Sequence, residues 1–400
     1  MGNLLILTVG AGAAGQHSDL HTGLTATIRA IRPRRYWLAP SADRNSIAMA
    51  EMMRDTCPDG FTPRNETTSF YAIPKHDDIF DCRAVMRQAI AAAKPHLRTG
   101  EKLLVNPTSG TKQMSAGATL AAMDEEIGDL VFTVGERADG VVKTGTERLA
   151  SFATRDFFMD RDLRSADILF RNGAYRAAAQ LLDRYADSPA VGKARARALC
   201  MFEWQRLNYA PAATQAALFD QRAGEYLRGL ARDVADNRPS LPVLRDLLRG
   251  ADALRRWDDC DEAVTRYYKA LEYATRLRLA QALQTTPPFK IRDLQKLPLP
   301  ARLLGELHAR NDGMTAPGLA WMLQALAHLG NPLADACQAD KALLSKLRVR
   351  NERVHEIRPA QKAEAQSFCD RLNNLFANNI PELADVRAQA PTPPEKLLTP

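Results

Sequence analysis

The pattern of apolar residues changes once along this chain, near Ala150, and that change constrains the fold more than any other feature. Before it, leucine-rich or β-branched runs at Leu4 to Val9, Tyr36 to Ala39, Leu103 to Asn106 and Leu130 to Val134 read as strands. Between them, helical spacing is found around Thr22 to Ile31, Ser46 to Met53, Cys82 to Ala93 and Lys112 to Met123. Strands separated by helical stretches of about ten residues make βαβ units. Residues 1–150 are therefore predicted to form an α/β, Rossmann-like domain around a parallel sheet. After Ala150 the strand signal ends, and leucine, alanine and arginine recur at helical spacing to about Ala384, which predicts an all-α second half.

Two segments of that second half look alike. Ala166-Asp167-x-Leu169-x-Arg171 with Ala178 recurs 85 residues later as Ala251-Asp252-x-Leu254-x-Arg256 with Ala263. Each predicts a helix, a tight turn and a second helix; 85 is not a tandem repeat length, so hairpins in an irregular bundle fit better than a solenoid. Pro287, Pro288, Pro298 and Pro300 cannot sit inside a regular helix and mark a connector from Gln284 to Pro300. The predicted division is 1–150, a helical-hairpin region 151–300, a C-terminal helical part 301–388, and a tail 389–400. That tail, with Pro391-Thr392-Pro393-Pro394, lacks apolar periodicity and is expected to be disordered.

Composition excludes more than it selects. A chain of 400 residues exceeds one small domain. No apolar run approaches the ~20 residues of a membrane span, and Met1-Gly2-Asn3 leads into a strand without a basic leader, so no membrane segment or secretory signal is expected. The six cysteines show no C-x-x-C spacing, which fits a reducing cytoplasm rather than a disulfide framework or a zinc ribbon. The net charge of +7 favours an anionic partner, RNA or a phosphorylated ligand, without choosing between them.

Two loops of the α/β half carry chemistry. Gly10-Ala11-Gly12-Ala13-Ala14-Gly15 is a literal G-x-G-x-x-G after the first strand, where a dinucleotide would place its pyrophosphate. An NAD(P)-binding oxidoreductase is thus one alternative. Against it, the second strand runs into Ala39-Pro40-Ser41 where an acidic residue should close on the ribose, and Asp43 arrives late. The sharper feature is Asn106-Pro107-Thr108-Ser109-Gly110-Thr111-Lys112-Gln113-Met114, which leaves a strand and enters a helix. Hydroxyls at Thr108, Ser109 and Thr111, the permissive backbone of Gly110 and the Lys112 ammonium gather at a helix N-terminus, where free N–H groups attract an anion. The P-loop spacing is absent, so nucleoside triphosphate hydrolysis is not implied.

A third constellation lies near the other end. Leu343-Leu344-x-x-Leu347-x-x-Arg350-Asn351-Glu352-Arg353-Val354-His355 reads as a helix ending before Pro359. Asn351 and His355 share a face at i, i+4 spacing, with Arg350 on a flank. His355 can exchange protons near neutral pH, Arg350 can clamp a phosphate bidentately, and Asn351 can orient either. Residues 341–358 hold six basic side chains against two acidic ones, a net +4 that attracts RNA. Arg302 and His308 also match the general R-x4-6-H pattern, with five residues between them, but no asparagine follows Arg302, and that pair is read as structural. His17 and His21 have metal-compatible spacing without a third ligand nearby; His76, His96 and His328 are lone residues.

The strand end N-x-T-x-G-T-K-x-M from Asn106 to Met114 resembles the ligand loop of CARF domains, the Rossmann-like cyclic oligoadenylate sensors of type III CRISPR systems. Val134 to Gly140 with Gly145-Thr146-Glu147-Arg148 resembles the end of such domains, and Gly250 to Glu272 the helical part of CARF-HEPN fusion proteins. The R-N-x-x-x-H at Arg350 to His355 resembles the catalytic motif of HEPN ribonucleases. The resemblance implies a cyclic oligoadenylate-activated, metal-independent endoribonuclease of antiviral defence, acting on single-stranded RNA as a cytoplasmic homodimer. Gly10, Ala11, Ser41, Asn106, Thr108, Ser109, Gly110, Thr111, Lys112 and Met114 would bind the ligand, and Arg350, Asn351 and His355 would act in catalysis. No catalytic cofactor or metal is expected. The activator is a tetra- or hexa-adenylate, with four the first expectation, and a slow ring-nuclease activity of the sensor stays open. A non-catalytic CARF signal adaptor is the other alternative.

Overall fold

The computed structural model describes residues 2–11, 17–127, 129–138, 141–143, 145–307, 313–347 and 361–398. They belong to two compact units, Met1–Arg161 and Asp162–Pro400.

In the first unit the alternation read from the sequence becomes β1 (Leu4–Val9), α1 (His17–Ile31), β2 (Arg35–Pro40), α2 (Arg44–Thr56), α3 (Ile79–Ala93), β3 (Leu103–Asn106), α4 (Lys112–Asp124) and β4 (Asp129–Val134). The four strands are parallel, in the order β2-β1-β3-β4. Their side chains alternate between two cores. Leu4, Ile6, Trp37, Ala39, Leu103 and Val105 pack with Met86 and Ile90 of α3 and Ala118 and Ala121 of α4. Leu5, Leu7, Val9, Tyr36, Leu38 and Leu104 pack with Leu24 and Ile28 of α1 and Met49 and Met53 of α2. Helices on both faces explain why the strands read as unbroken apolar runs.

The sheet does not stop at β4. After a two-residue hairpin, β5 (Arg137–Ala138) with β6 (Val141–Val142), strand β7 (Arg148–Ala153) pairs antiparallel along the whole of β4. The predicted parallel sheet thus carries one antiparallel edge strand that the sequence did not announce. All six β7 residues are exposed or half-buried, so the strand shows no buried apolar pattern that a sequence could reveal.

The second unit continues from helix Thr154–Arg171 into successive helical hairpins. The two look-alike segments are hairpins of this kind: Thr154–Arg171 with Tyr175–Leu182, and Leu241–Arg256 with Cys260–Leu283. Their turns are marked by left-handed residues, Gly173 (φ 78°) and Asp258 (φ 60°), themselves 85 positions apart. The turns also touch, since a Cβ on Gly173 would lie 3.1 Å from the Trp257 ring. On the first helix of the second hairpin, Asp246 is completely buried and accepts hydrogen bonds from Trp204 Nε1 (2.8 Å), Tyr209 OH (3.0 Å) and Arg249 Nε (2.8 Å).

Helices Cys260–Leu283, Leu319–His328, Pro332–Ala339 and Lys362–Asn379 close a further core around Tyr267, Met322, Leu326, Phe368, Leu372 and Phe376. Among the described residues the helical half has one exception. Phe289–Lys290, inside the proline-marked connector, pairs antiparallel with Met314–Thr315. The tail also departs from its expectation: helix Glu382–Gln389 reaches into it, and Leu397 is completely buried. A single anchoring leucine has no periodicity, which is why the composition of the tail reads as disorder.

Candidate functional site

The chain leaves β1 toward β2 on one side and, later, β3 on the other, so the carboxyl ends of β1 and β3 flank the crevice where doubly wound sheets bind ligands. Both glycine-containing loops begin there, and the described part of each is stitched to the other. Thr8 Oγ1 donates to Ser109 O at 2.6 Å, and the Gly10 N–H donates to Ser109 Oγ at 3.0 Å. A methyl group on Gly10 would lie 2.5 Å from Gly110 Cα, so only glycine lets the two backbones approach this closely. Gly110 has φ 106°, a conformation that side chains rarely adopt, and a Cβ there would meet Met114 Sδ at 2.7 Å. Gly12 to Gly15 lie outside the described residues.

The sequence-selected residues divide into those that shape the loop and those that face outward. Asn106 is completely buried; its Oδ1 accepts the Thr108 N–H (2.9 Å) and its Nδ2 donates to Thr133 Oγ1 (3.0 Å). Thr108 Oγ1 accepts the Thr133 N–H at 2.8 Å, tying the loop to β4. Thr111 caps α4, accepting the Met114 N–H at 3.1 Å and donating to His76 O at 2.5 Å. Ser109 and Met114 are buried beneath the turn. Gly110 and Lys112 are exposed, and Ala11 is half-buried. The backbone N–H groups of Gly110, Thr111, Lys112 and Gln113 have no acceptor among the described residues, and Lys112 has no carboxylate partner among them. Four consecutive N–H groups without an acceptor among the described residues, a helix dipole and one ammonium are a combination that attracts an anion such as phosphate.

Ser41, at the end of β2, is buried and points into a helix cap instead of the crevice. Its hydroxyl bonds the Asp43 carboxylate and lies 2.6 Å from Ser46 Oγ. Asp43 Oδ1 in turn accepts the N–H groups of Asn45 and Ser46, both at 3.0 Å. Burial would raise the Asp43 pKa, but these hydrogen bonds outweigh it and bring it down to about 2. The contribution of the charged cap to stability is therefore present above the ordinary carboxylate range and is lost as pH falls through about 2. Asp43 is the carboxylate that the dinucleotide alternative needed, and both its oxygens are engaged in the cap.

Sequence reasoning missed the segment before α3. His76, read as a lone residue, accepts the Thr111 hydroxyl through its carbonyl, and Cys82 Sγ lies 3.6 Å from the same oxygen. The only sequence signal for this contact is Gly117, whose missing side chain lets α4 approach Cys82 of α3; a Cβ would meet Cys82 Cβ at 2.6 Å.

Arg350, Asn351 and His355 lie outside the described residues, as does His308. What leads to them is well defined. Residues 341–347 are helical, with Leu343 and Leu347 in the core. Asp340 accepts the Leu343 N–H at 2.9 Å and pairs with Arg371 at 2.9 Å, so the helix entering the motif is fastened to Lys362–Asn379, the helix leaving it. Arg302, of the second R-x4-6-H match, is 93% exposed with its head 3.9 Å from Glu306, a surface pair. His21 Nε2 lies 3.1 Å from Thr56 Oγ1, and His96 stacks on Trp37 beside Arg35. Among the described residues no three His, Cys, Asp or Glu side chains gather as a metal site, and no helix is long and apolar enough to cross a membrane.

No family model matches the sequence, and no curated protein matches it. Solved structures do match. Enterococcus italicus Csm6 bound to cyclic hexa-2′-fluoro-hexa-dAMP is 12% identical, with a TM-score of 0.65 over 97% of this chain and 98% of that one. An α/β unit with its crevice loops, followed by a helical unit, is thus the fold of Csm6, shared over nearly the whole length of both chains.

Proposed function

We propose that the chain is a CRISPR-associated ribonuclease switched on by cyclic oligoadenylate. The observation that supports this reading is the run of backbone N–H groups from Gly110 to Gln113 without an acceptor among the described residues, beside Lys112, at the switch point of a chain with the Csm6 fold. A cyclic ligand with repeated phosphates suits a two-fold pocket, so the functional unit is a homodimer in which two copies of the loop face one ring. The hexa-adenylate analogue held by the neighbour makes six the ring size to test first.

In the helical unit, the 2′-oxygen of single-stranded RNA attacks the adjacent phosphorus and the 5′-oxygen leaves, giving 2′,3′-cyclic phosphate and 5′-hydroxyl ends. His355 moves protons, Arg350 stabilises charge on the phosphate, and Asn351 positions them. One motif supplies one arginine and one histidine; two motifs in a dimer supply an acid, a base and a clamp. The ligand shifts the population toward the dimer arrangement with competent sites. No resident metal takes part in this scheme, and the cytoplasm is its compartment.

Lys112→Ala tests the sensor half. Calorimetric titration with cyclic hexa-2′-fluoro-hexa-dAMP reports binding alone, because a ring without 2′-hydroxyls cannot be opened by 2′ attack. Loss of one charge-assisted contact is expected to weaken binding by about tenfold or more. Unchanged affinity in Lys112→Ala would remove the α4 terminus from the ligand site.

A further inference from the structure

The segment after the last helix is held in place by a built site. Leu397 is completely buried and Pro391 is buried with it. The Leu397 N–H donates to Asp167 Oδ1 at 2.8 Å, and Arg197 Nη1 donates to Leu397 O at 2.9 Å. Both backbone groups of one residue are therefore gripped by charged side chains of two helices, Thr154–Arg171 and Pro189–Gln205. A third contact runs from Arg222 Nη2 to Gln389 O at 3.2 Å. The gripping groups are fixed in their turn. Asp167 is 8% exposed and pairs with Arg171, and the Arg197 guanidinium lies 5.4 Å above the Phe219 ring.

A clamp on one residue's N–H and C=O, beside a buried place for its side chain, uses the same division of labour as other peptide sites: the backbone bonds give affinity and the side-chain space gives specificity. We infer that Asp167, Arg197 and the space filled by Leu397 form a binding site for irregular, leucine-bearing peptide segments, occupied in cis by residues 389–398. Its resident segment is covalently attached, so a high effective concentration keeps the site filled. A free peptide of the same chemistry competes only when that segment is released. Helix Asp162 onward and the tail belong to the same compact unit, so the site is complete within it. The inference stands apart from the nuclease reading and does not need it.

The test uses the full chain carrying Leu397→Asp, since a carboxylate is expelled from a completely buried apolar position. A labelled synthetic peptide of residues 389–400 is titrated by fluorescence anisotropy. The variant is expected to bind it saturably, and the parent, already filled, at least about tenfold more weakly. Adding Asp167→Ala to the variant should cost about a further tenfold, the loss of one hydrogen bond to a charged group. Circular dichroism establishes that the variant is folded. Independently of any variant, amide exchange in the parent should show Leu397 protected. No peptide binding by a folded Leu397→Asp chain, equal binding of a peptide that itself carries Leu397→Asp, or an unprotected Leu397 amide in the parent would each overturn the inference.

Discussion

Replacing His355 by alanine is expected to lower RNA cleavage by about 10²- to 10⁴-fold, the usual contribution of a positioned proton-transfer group. The expectation follows from the chemistry of the motif. An imidazole titrates near the working pH, so it can take the 2′-hydroxyl proton or give one to the departing 5′-oxygen, whereas alanine can do neither. The helix that enters the motif is held by Asp340, Arg371, Leu343 and Leu347, all of which the substitution leaves in place, so the fold should persist. Gel-resolved cleavage of a labelled single-stranded RNA measures the loss, and titration with cyclic hexa-2′-fluoro-hexa-dAMP checks that the sensor half still binds. Full activity in His355→Ala would remove the histidine from catalysis. Arg350→Ala should give a loss of similar order, because a charge stabiliser in a phosphoryl transition state acts on the same step.

The largest effect on stability is expected from Asp246→Ala. Its carboxylate is completely buried and is the shared acceptor for Trp204, Tyr209 and Arg249. Arg249 also lies over the Trp204 ring at 4.4 Å. Burial alone would lower the Arg249 pKa, yet the net direction is upward, chiefly because Asp246 outweighs it, so the charged guanidinium leans mainly on this carboxylate. Removing the carboxylate leaves a largely buried cation without its carboxylate, Arg249 being 17% exposed, and two orphaned donors, a loss of about 3–5 kcal/mol. Urea denaturation would show it as a lower midpoint. A midpoint within about 0.5 kcal/mol of the parent, the range of an ordinary surface substitution, would mean that water or relaxation replaces the carboxylate.

How much of this was legible in the sequence depends on what made each signal. The four parallel strands were readable because burial on both faces leaves apolar runs such as Leu4–Val9, and their helices because they carry apolar stripes. Strand β7 was not, since an exposed edge has no such run. The loop from Asn106 to Met114 was found as a motif, but its division of labour was not: Asn106, Thr108, Ser109 and Met114 turn inward to shape it, while Gly110 and Lys112 face outward. Residue type marks a polar loop; only geometry tells which hydroxyl already has a partner. Ser41 illustrates the same limit, its hydroxyl held by Asp43 and Ser46. The contact of His76 with Thr111 is between residues 35 positions apart and uses a backbone carbonyl, which no side-chain pattern can announce. Leu397 was invisible for the opposite reason, a single apolar residue in a proline-rich stretch.

Coupling between the two halves is the central claim, and one measurement addresses it most directly. The parent chain is incubated with labelled single-stranded RNA in EDTA, with and without cyclic hexa-adenylate, and with cyclic tetra-adenylate in a parallel series. The account predicts weak cleavage alone, strong cleavage once one of the rings is added, and products ending in 2′,3′-cyclic phosphate. RNA left intact with either ring present, or cut at the same rate with and without them, would contradict it.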